Sequence, residues 1–245
     1  GDQRATWRVS QKLLHSKPAT YYSDEECAQL SSTFCNFFVD KLNRIHSTIS
    51  TAVQSSISSV FPARVHFGPS LNNFRTVTSE DVRRVLTSTP AKSSPLDIVP
   101  ASLMKSCANA FAPIIARLAN LSFSEGCFPS RYKIAQVLPL LKKPNADRSS
   151  PANYRPISNL ATISKVLERL ALSQLRPHLL GSPNFCPLQS AYRAGHSTET
   201  ALLELLYGVY RAGDEKQFTV VVGLDISAAF DTICHSPLLD RMHVE

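Results

Sequence analysis

The sequence predicts an α+β fold, in which a helical N-terminal region is followed by further helices and a few strands. Three features of the pattern support this class. Apolar residues recur at helical spacing over 28–49, 103–123, 162–176 and 197–209. Two short apolar segments, each interrupted by a proline, enclose a basic loop. A further apolar run over 218–224 contains four β-branched residues and is followed at once by Asp225, which predicts a short buried strand.

The composition is that of an ordinary folded protein. The chain has 245 residues, of which 43% are hydrophobic and 18% are charged, enough for one large domain or two small ones. No run reaches the roughly 18 apolar residues that a membrane span needs, and the first residues lack the apolar segment of a signal peptide. The six cysteines form no C-x-x-C pair. We therefore expect an intracellular protein that is reduced and not secreted.

The first ninety residues predict helices without evident chemistry. Ser23 and the three acids after it indicate a helix start. Cys27 and Cys35 fall on broadly one side of this helix, so we expect both in the core. Residues 46–77 are rich in Ser, Thr and Asn, which predicts a linker. Thr78 then begins a short helix by the same capping logic.

Three later helices are predicted from their apolar stripes. Pro113 should kink or divide the helix over 103–123, and Ser197 should cap the last of the three. The predicted inward residues of the first are Met104, Phe111, Ile114, Ile115, Leu118 and Leu121. Those of the second are Ile163, Val166, Leu167 and Leu170, and those of the third are Ala201, Leu202, Leu205, Leu206 and Val209.

Residues 134–141 and 153–160 predict the two strands of a flexible β-hairpin, each placed at a sheet edge by its proline. The segment 131–155 holds six Lys and Arg residues against one Asp, most of the chain's net charge of +7. Such a concentration of positive charge suits phosphate or nucleic acid. A solvated basic loop would have the same composition.

Asp225 is the first candidate for catalysis. A carboxylate at the end of a buried strand lies at the rim of a sheet, where active sites are common. Magnesium prefers carboxylate oxygens together with substrate phosphates. Phe230, five positions on, could wall off a ribose so that only deoxynucleotides fit. The residues alone leave open that Asp225 caps the next helix and that Phe230 packs in a core.

Four segments together resemble reverse transcriptases of non-LTR, LINE-type retrotransposons. LDISAAFDTICH resembles the first catalytic motif, and PLLKKPNADRSSPANYRPISNLATISKVLERL resembles the fingers hairpin and the helix after it. QSAYRAGHSTETALL resembles the insertion motif before the catalytic strand, and SSPLDIVPASLMK resembles the segment before the fingers. Their order and spacing agree over 92–235. The first ninety residues more loosely resemble the linker between endonuclease and polymerase.

The resemblance implies an RNA-directed DNA polymerase with a right-hand fold. Residues 1–90 would be the helical linker region, and 91–245 the fingers and an incomplete palm, truncated before the second catalytic motif. The implied chemistry is two-metal nucleotidyl transfer with Mg²⁺, an RNA template, a DNA primer and deoxynucleoside triphosphates, in the nucleus for the parent element. Twenty residues follow Asp225, and none forms the adjacent aspartate pair of the family. We therefore expect this fragment to be inactive alone.

The resemblance also implies a role for each site residue. Asp225 would be the first metal-binding carboxylate, the carbonyl of Ile226 a further metal ligand, and Phe230 the sugar gate. Lys143 and Arg155 would hold the incoming triphosphate.

Four residues are candidates for nucleic-acid contact: Lys142, Arg148, Gln189 and Arg193. Lys142 could also take the place of Lys143 at the triphosphate. For Gln189 and Arg193 a structural role and a template contact remain open. We expect Asp231 to hydrogen-bond in a turn rather than to act in catalysis.

Two other interpretations stay open: a nucleic-acid-binding remnant without catalysis, and a decayed copy without function. A hydrolase, a dehydrogenase and a P-loop enzyme lack support, because G-x-S-x-G, G-x-G-x-x-G and G-x-x-x-x-G-K-[ST] are absent from the sequence.

Overall fold

The computed structural model describes residues 23–54, 70–90, 92–183, 185–226 and 228–244. These residues form helices and one two-stranded sheet. In chain order the elements are α1 (Asp24–Gln54), α2 (Ser79–Ser88), α3 (Ala101–Ser106), α4 (Ala108–Ser124), the 3₁₀ turn Ser130–Lys133, β1 (Ala135–Leu141), the 3₁₀ turn Pro151–Asn153, β2 (Tyr154–Leu160), α5 (Thr162–Gly181), α6 (Thr198–Asp214) and α7 (His235–Val244). This mixture agrees with the predicted α+β class. None of the described helices combines the length and hydropathy of a membrane span.

The chain divides into two compact units. The first comprises Gly1–Arg44 and Pro139–Arg155, and the second comprises Ile45–Leu138 and Pro156–Glu245. The predicted division into a linker region, 1–90, and a polymerase region, 91–245, remains a prediction. The predicted hairpin is confirmed, since β1 and β2 are paired in one sheet.

The hydrophobic core of the second unit lies among α2, α3, α4 and α5. Its buried side chains are Val77, Val82, Leu86, Met104, Ala108, Ala112, Ile115, Ala116, Ala119, Val166, Leu167 and Leu170. Burying one aliphatic side chain of the larger kind stabilises the fold by about 1.5–3 kcal/mol. The predicted buried stripe of α5 is confirmed at Val166, Leu167 and Leu170, with Ile163 packed partly buried beside them. The predicted inward stripe of α6 is wrong, because none of the residues of this helix is buried.

Side chains close the starts of several helices, as the sequence predicts. Thr78 forms a capping box with Asp81 at α2, and Ser197 forms one with Thr200 at α6. Ser23 and Glu26 exchange the same pair of hydrogen bonds at α1. Each box satisfies backbone N–H groups that lack a partner within the helix.

The helix predicted over 103–123 is divided, but not at Pro113. The break falls at Cys107, and Pro113 lies inside α4. A proline clashes with the carbonyl four residues before it, so a helix that restarts at Ala108 confines that clash to its first turn. The buried face of α4 is rich in alanine, whereas Ile114 and Leu121, which we predicted to point inward, are exposed.

The strand predicted over 218–224 is wrong. The segment is irregular, with Phe218 and Leu224 at 103% and 90% exposure. A strand persists when a neighbour pairs with its backbone N–H and C=O groups, and in the described part of the chain the sheet holds only β1 and β2. The β-branched composition therefore favours an extended backbone here without building a sheet.

Cys27 and Cys35 are exposed on α1, so the prediction that both lie in the core is also wrong. Helical spacing defines a common side for the two residues, but it does not supply a neighbour that covers this side.

Candidate nucleotidyl-transfer site

The β-hairpin presents the predicted triphosphate-binding cations on an exposed surface. Lys142 begins the connection, with its backbone N–H donating to the Asn153 carbonyl at 2.8 Å. Its Nζ donates to the Ala152 carbonyl at 2.6 Å, so this ammonium group is bound by its own loop. Lys143, the next residue, and Arg155 on β2 are exposed. Of the two lysines, Lys143 is therefore the better placed to meet a ligand.

The loop between the strands is held by its one acidic residue. Asp147 accepts hydrogen bonds from the backbone N–H and hydroxyl of Ser149, and its carbonyl accepts one from Asn153. The Ser149 N–H and hydroxyl lower the pKa of Asp147 below its ordinary value. Tyr154 donates to the Arg148 carbonyl at 3.0 Å. Ser149 thus fixes the carboxylate within the loop.

The insertion motif folds into a loop that is bonded largely to itself. Arg193 donates to the carbonyls of Pro187 and Gln189 at 2.6 and 3.1 Å, and its guanidinium lies 5.4 Å from the centre of the Phe185 ring. Gln189 donates to the Ala191 carbonyl. Of the two roles left open for Gln189 and Arg193, this geometry supports the structural one.

Asp225, Ile226 and Phe230 lie together on an exposed stretch of the second unit. Ile226 and Phe230 are 72% and 73% exposed, which removes the alternative that Phe230 packs in a core. The next described helix, α7, begins at His235, so Asp225 does not cap it. In the part of the chain that the structure describes, Phe230 therefore does not pack in a core and Asp225 does not cap a helix.

A hydrogen-bonded turn follows this stretch. The backbone N–H groups of Asp231 and Thr232 donate to the Ala228 carbonyl at 2.9 and 3.0 Å, with Ala228 at a φ of 52°. Asp231 thus takes part in the turn as expected. His46, at the end of α1, bonds the Thr232 carbonyl at 3.3 Å, which ties this turn to a helix far away in the sequence.

The site contains one contact that the sequence analysis did not predict. The ring of Tyr192, from the insertion motif, meets the ring of Phe230 edge to face, with centroids 6.2 Å apart and planes at 82°. Only the presence of an aromatic residue in the insertion motif could have signalled it. The structure thus groups the predicted residues in two sets, the hairpin cations in the first unit and the remaining residues in the second.

The donors at Asp225 and Ile226 fit a divalent metal in kind, since carboxylate and carbonyl oxygens are the ligands that magnesium takes. They are a partial set, because the described residues include no group of three or more His, Cys, Asp and Glu side chains placed to hold a metal ion. Three other acidic residues, Glu80, Asp81 and Glu215, form ion pairs elsewhere. Glu80 bonds Arg83 at 2.8 Å, Asp81 bonds Arg75 at 2.9 Å, and Glu215 bonds Arg211 at 3.2 Å.

The chain is similar to a known family of enzymes. Residues 141–244 match the family of the reverse transcriptase (RNA-dependent DNA polymerase). This segment contains β2, the insertion motif, Asp225 and Phe230. The predicted resemblance is therefore confirmed over the segment that carries the candidate catalytic residue.

The chain is also similar to RNA-directed DNA polymerases of transposons and mobile elements. The chain is 30% identical over 164 residues to the probable RNA-directed DNA polymerase from transposon BS of Drosophila melanogaster, covering 66% of this chain and 18% of that protein. It is 27% identical over 164 residues to the RNA-directed DNA polymerase from mobile element jockey of the same species, with the same coverage. It is 35% identical over 109 residues to the probable RNA-directed DNA polymerase from its transposon X-element, covering 44% of this chain and 12% of that protein. The chain thus spans less than a fifth of these relatives.

Proposed function

We propose that this chain forms part of an enzyme that copies RNA into DNA, in which it supplies the first catalytic carboxylate, the sugar gate and the triphosphate-binding hairpin. The observation that carries the proposal is the exposure of Asp225 and Phe230 on one stretch, within the segment that matches the reverse transcriptase family. In the described part of the chain neither residue caps a helix or packs in a core, so both are accessible for the roles that the motif implies.

In this enzyme the primer 3′-hydroxyl attacks the α-phosphorus of a deoxynucleoside triphosphate, and pyrophosphate leaves. Lys143 and Arg155 donate charge-assisted hydrogen bonds to the phosphate oxygens, which orients the triphosphate and stabilises the charge that develops on it. Phe230 contacts the sugar and leaves no space for a 2′-hydroxyl. Asp225 and the Ile226 carbonyl would hold a divalent metal, for which we propose magnesium, and such an ion would supply Lewis-acid activation of the hydroxyl and charge stabilisation at the leaving group.

The same proposal extends to the architecture of the enzyme. We assign β1, β2 and α5 to the fingers and the stretch around Asp225 to the palm of a right-hand polymerase, with the linker region ending near residue 90. The partners are then an RNA template and a DNA primer. We also propose a nuclear location for the parent protein. The inactivity of these 245 residues alone stays a prediction, which primer extension by the isolated chain tests.

The test uses a chimeric polymerase, in which this chain occupies the stretch that it matches in the transposon BS relative. We expect RNA-templated incorporation of deoxynucleotides, with a loss of more than about a hundredfold in kcat for Asp225→Ala. Asp240→Ala, which removes an exposed carboxylate on α7, is the matched control and should leave kcat unchanged. Equal activity of the Asp225 and Asp240 variants would overturn the proposal.

Nucleic-acid binding without catalysis is a second candidate, favoured by the exposed basic hairpin whose acid is held by Ser149. Binding of the 245-residue chain to single-stranded RNA should then weaken steeply with salt, because cations released from phosphates drive the association. Arg148→Ala should lower the slope of log K against log salt by about one, whereas Asp240→Ala should not change it. This candidate stands if binding is retained while the chimera incorporates no nucleotide.

A further inference from the structure

Tyr192 and Phe230 form a contact between two side chains that are both turned toward solvent. They are 74% and 73% exposed, and their rings meet edge to face at 6.2 Å. A core that would fix the Phe230 rotamer is therefore lacking around it. In the described part of the chain, the ring contact that Phe230 makes is the one with Tyr192.

The backbone of Tyr192 is unusual for a bulky residue. Its φ is 62°, in the left-handed region that glycine and asparagine adopt more readily than tyrosine. Such strain persists where the surroundings hold it, and it concentrates at functional sites. Arg176, on α5, donates to the Tyr192 carbonyl at 2.7 Å. This hydrogen bond holds the peptide group that follows Tyr192.

The segments on both sides of Tyr192 are braced as well. Gln189 bonds the Ala191 carbonyl immediately before it, and Arg193, immediately after it, bonds the carbonyls of Pro187 and Gln189. The polar side chains of the insertion motif are thus used to build the loop. What the braced loop presents outward is the tyrosine ring.

We propose that Tyr192 is a positioning residue for Phe230 and so determines how strictly the polymerase excludes ribonucleotides. The inference rests on the proposed role of Phe230 as the sugar gate. A gate that acts by steric clash works only while its ring cannot rotate away from the 2′-hydroxyl. An exposed phenylalanine is free to rotate unless a neighbour restrains it, and the ring of Tyr192 contacts the ring of Phe230 on one side.

The first test measures nucleotide selectivity, the ratio of kcat/KM for a deoxynucleotide to that for its ribonucleotide, in the chimeric polymerase. Tyr192→Ala should lower this ratio by about tenfold, mainly by improving the use of the ribonucleotide. Tyr192→Phe keeps the ring and should retain the ratio. Tyr192→Asn suits the left-handed backbone but removes the ring, so it should behave like Tyr192→Ala. An unchanged ratio in both ring-deleting variants would overturn the inference.

Phe230→Ala separates this inference from the proposed function. If Phe230→Ala leaves the ratio unchanged, Phe230 is not the gate and the proposed function fails at this residue. If Phe230→Ala relaxes the ratio and Tyr192→Ala does not, only the role of Tyr192 fails. If Tyr192 acts only through the ring of Phe230, the variant that carries both Tyr192→Ala and Phe230→Ala should be no less selective than Phe230→Ala alone. The effects of two coupled residues do not add.

The second test needs no polymerase activity. The 245-residue chain, with fluorinated analogues at its 12 phenylalanines, gives a fluorine NMR signal for Phe230 that Phe230→Leu identifies by its loss. This signal should shift in Tyr192→Ala and Tyr192→Asn and stay in place in Tyr192→Phe. A signal that does not respond to loss of the tyrosine ring would show that the two rings do not interact in solution, and would overturn the inference.

Discussion

The carboxylate of Asp97 accepts hydrogen bonds from both the backbone N–H and the hydroxyl of Thr162, at 2.6 and 2.7 Å. It also accepts the N–H of Ser94 at 2.7 Å. Thr162 is the first residue of α5, and the residue before it, Ala161, provides no side-chain cap. A turn far upstream therefore caps the helix that follows the β-hairpin, which joins two of the motifs that resemble the reverse transcriptases.

Removing this cap should destabilise the second unit. Asp97→Ala leaves the Thr162 N–H and the Ser94 N–H without their acceptor, and we expect a loss of about 1–2 kcal/mol in the free energy of unfolding. Urea unfolding followed by circular dichroism measures it. Asp97→Asn keeps one acceptor oxygen, so its free energy of unfolding should fall by less. Asp240→Ala, on an exposed helix surface, should leave the free energy of unfolding unchanged. Equal stability of Asp97→Ala and Asp240→Ala would contradict the role of the cap.

The core predicts a second effect on stability, within α5 itself. Leu167 is 1% exposed and Leu172 is 51% exposed. The same substitution at these two positions therefore compares a buried with an exposed leucine of one helix. Leu167→Ala removes buried surface and leaves a cavity, which should lower the free energy of unfolding by about 2–5 kcal/mol. Leu172→Ala should change it by less than about 0.5 kcal/mol. Similar losses in the two variants would show that α5 does not bury the face described above.

The capping box of α2 predicts a dependence on pH. The Arg75 guanidinium, followed by the N–H and hydroxyl of Thr78, lowers the pKa of Asp81 well below its ordinary value of 3.8. The unfolded chain therefore takes up a proton at this site before the folded chain does. The stabilisation is complete above the ordinary pKa and declines as the pH falls below about 4 toward the pKa of the folded state.

Urea unfolding between pH 6 and pH 2 checks this dependence. Asp81→Asn should lower the stability at pH 6 and flatten the decline toward low pH. Asp240→Asn serves as the control and should retain the slope of the unsubstituted chain. A slope that is the same in Asp81→Asn and in the unsubstituted chain would assign the acid sensitivity to other groups.

Local chemistry accounts for what the sequence predicts correctly. Thr78 and Ser197 bond to N–H groups three residues away, so the information for each cap lies within one turn of helix. The hairpin is also local, because its strands are consecutive and their loop closes by the bond from Lys142 to Asn153. The roles that the motif implies for Asp225 and Phe230 stay predictions.

The features that the sequence did not predict depend on distant partners. The run over 218–224 has strand composition, but pairing requires a neighbouring strand that no local pattern supplies. The bond from Thr162 to Asp97 joins residues 65 positions apart. The contact of Tyr192 with Phe230 depends on a left-handed backbone at a tyrosine, which residue preferences disfavour. In each case the outcome is decided by tertiary structure, so spacing within a single segment carries no signal for it.

The hydrogen bonds of the hairpin predict which of its two neighbouring lysines, Lys142 or Lys143, binds the triphosphate. Lys142 already donates to the Ala152 carbonyl, whereas Lys143 is exposed beside it. In the chimeric polymerase, Lys143→Ala and Arg155→Ala should each raise the KM for a deoxynucleoside triphosphate by about tenfold or more, since each removes a charge-assisted hydrogen bond to phosphate. Lys142→Ala should have a smaller effect, and Lys133→Ala, an exposed lysine outside the hairpin, should leave KM unchanged. Steady-state kinetics with varied triphosphate measure all four variants. If Lys142→Ala raises KM more than Lys143→Ala does, the register along the hairpin is shifted by one residue, and Lys142 is the lysine that meets the triphosphate.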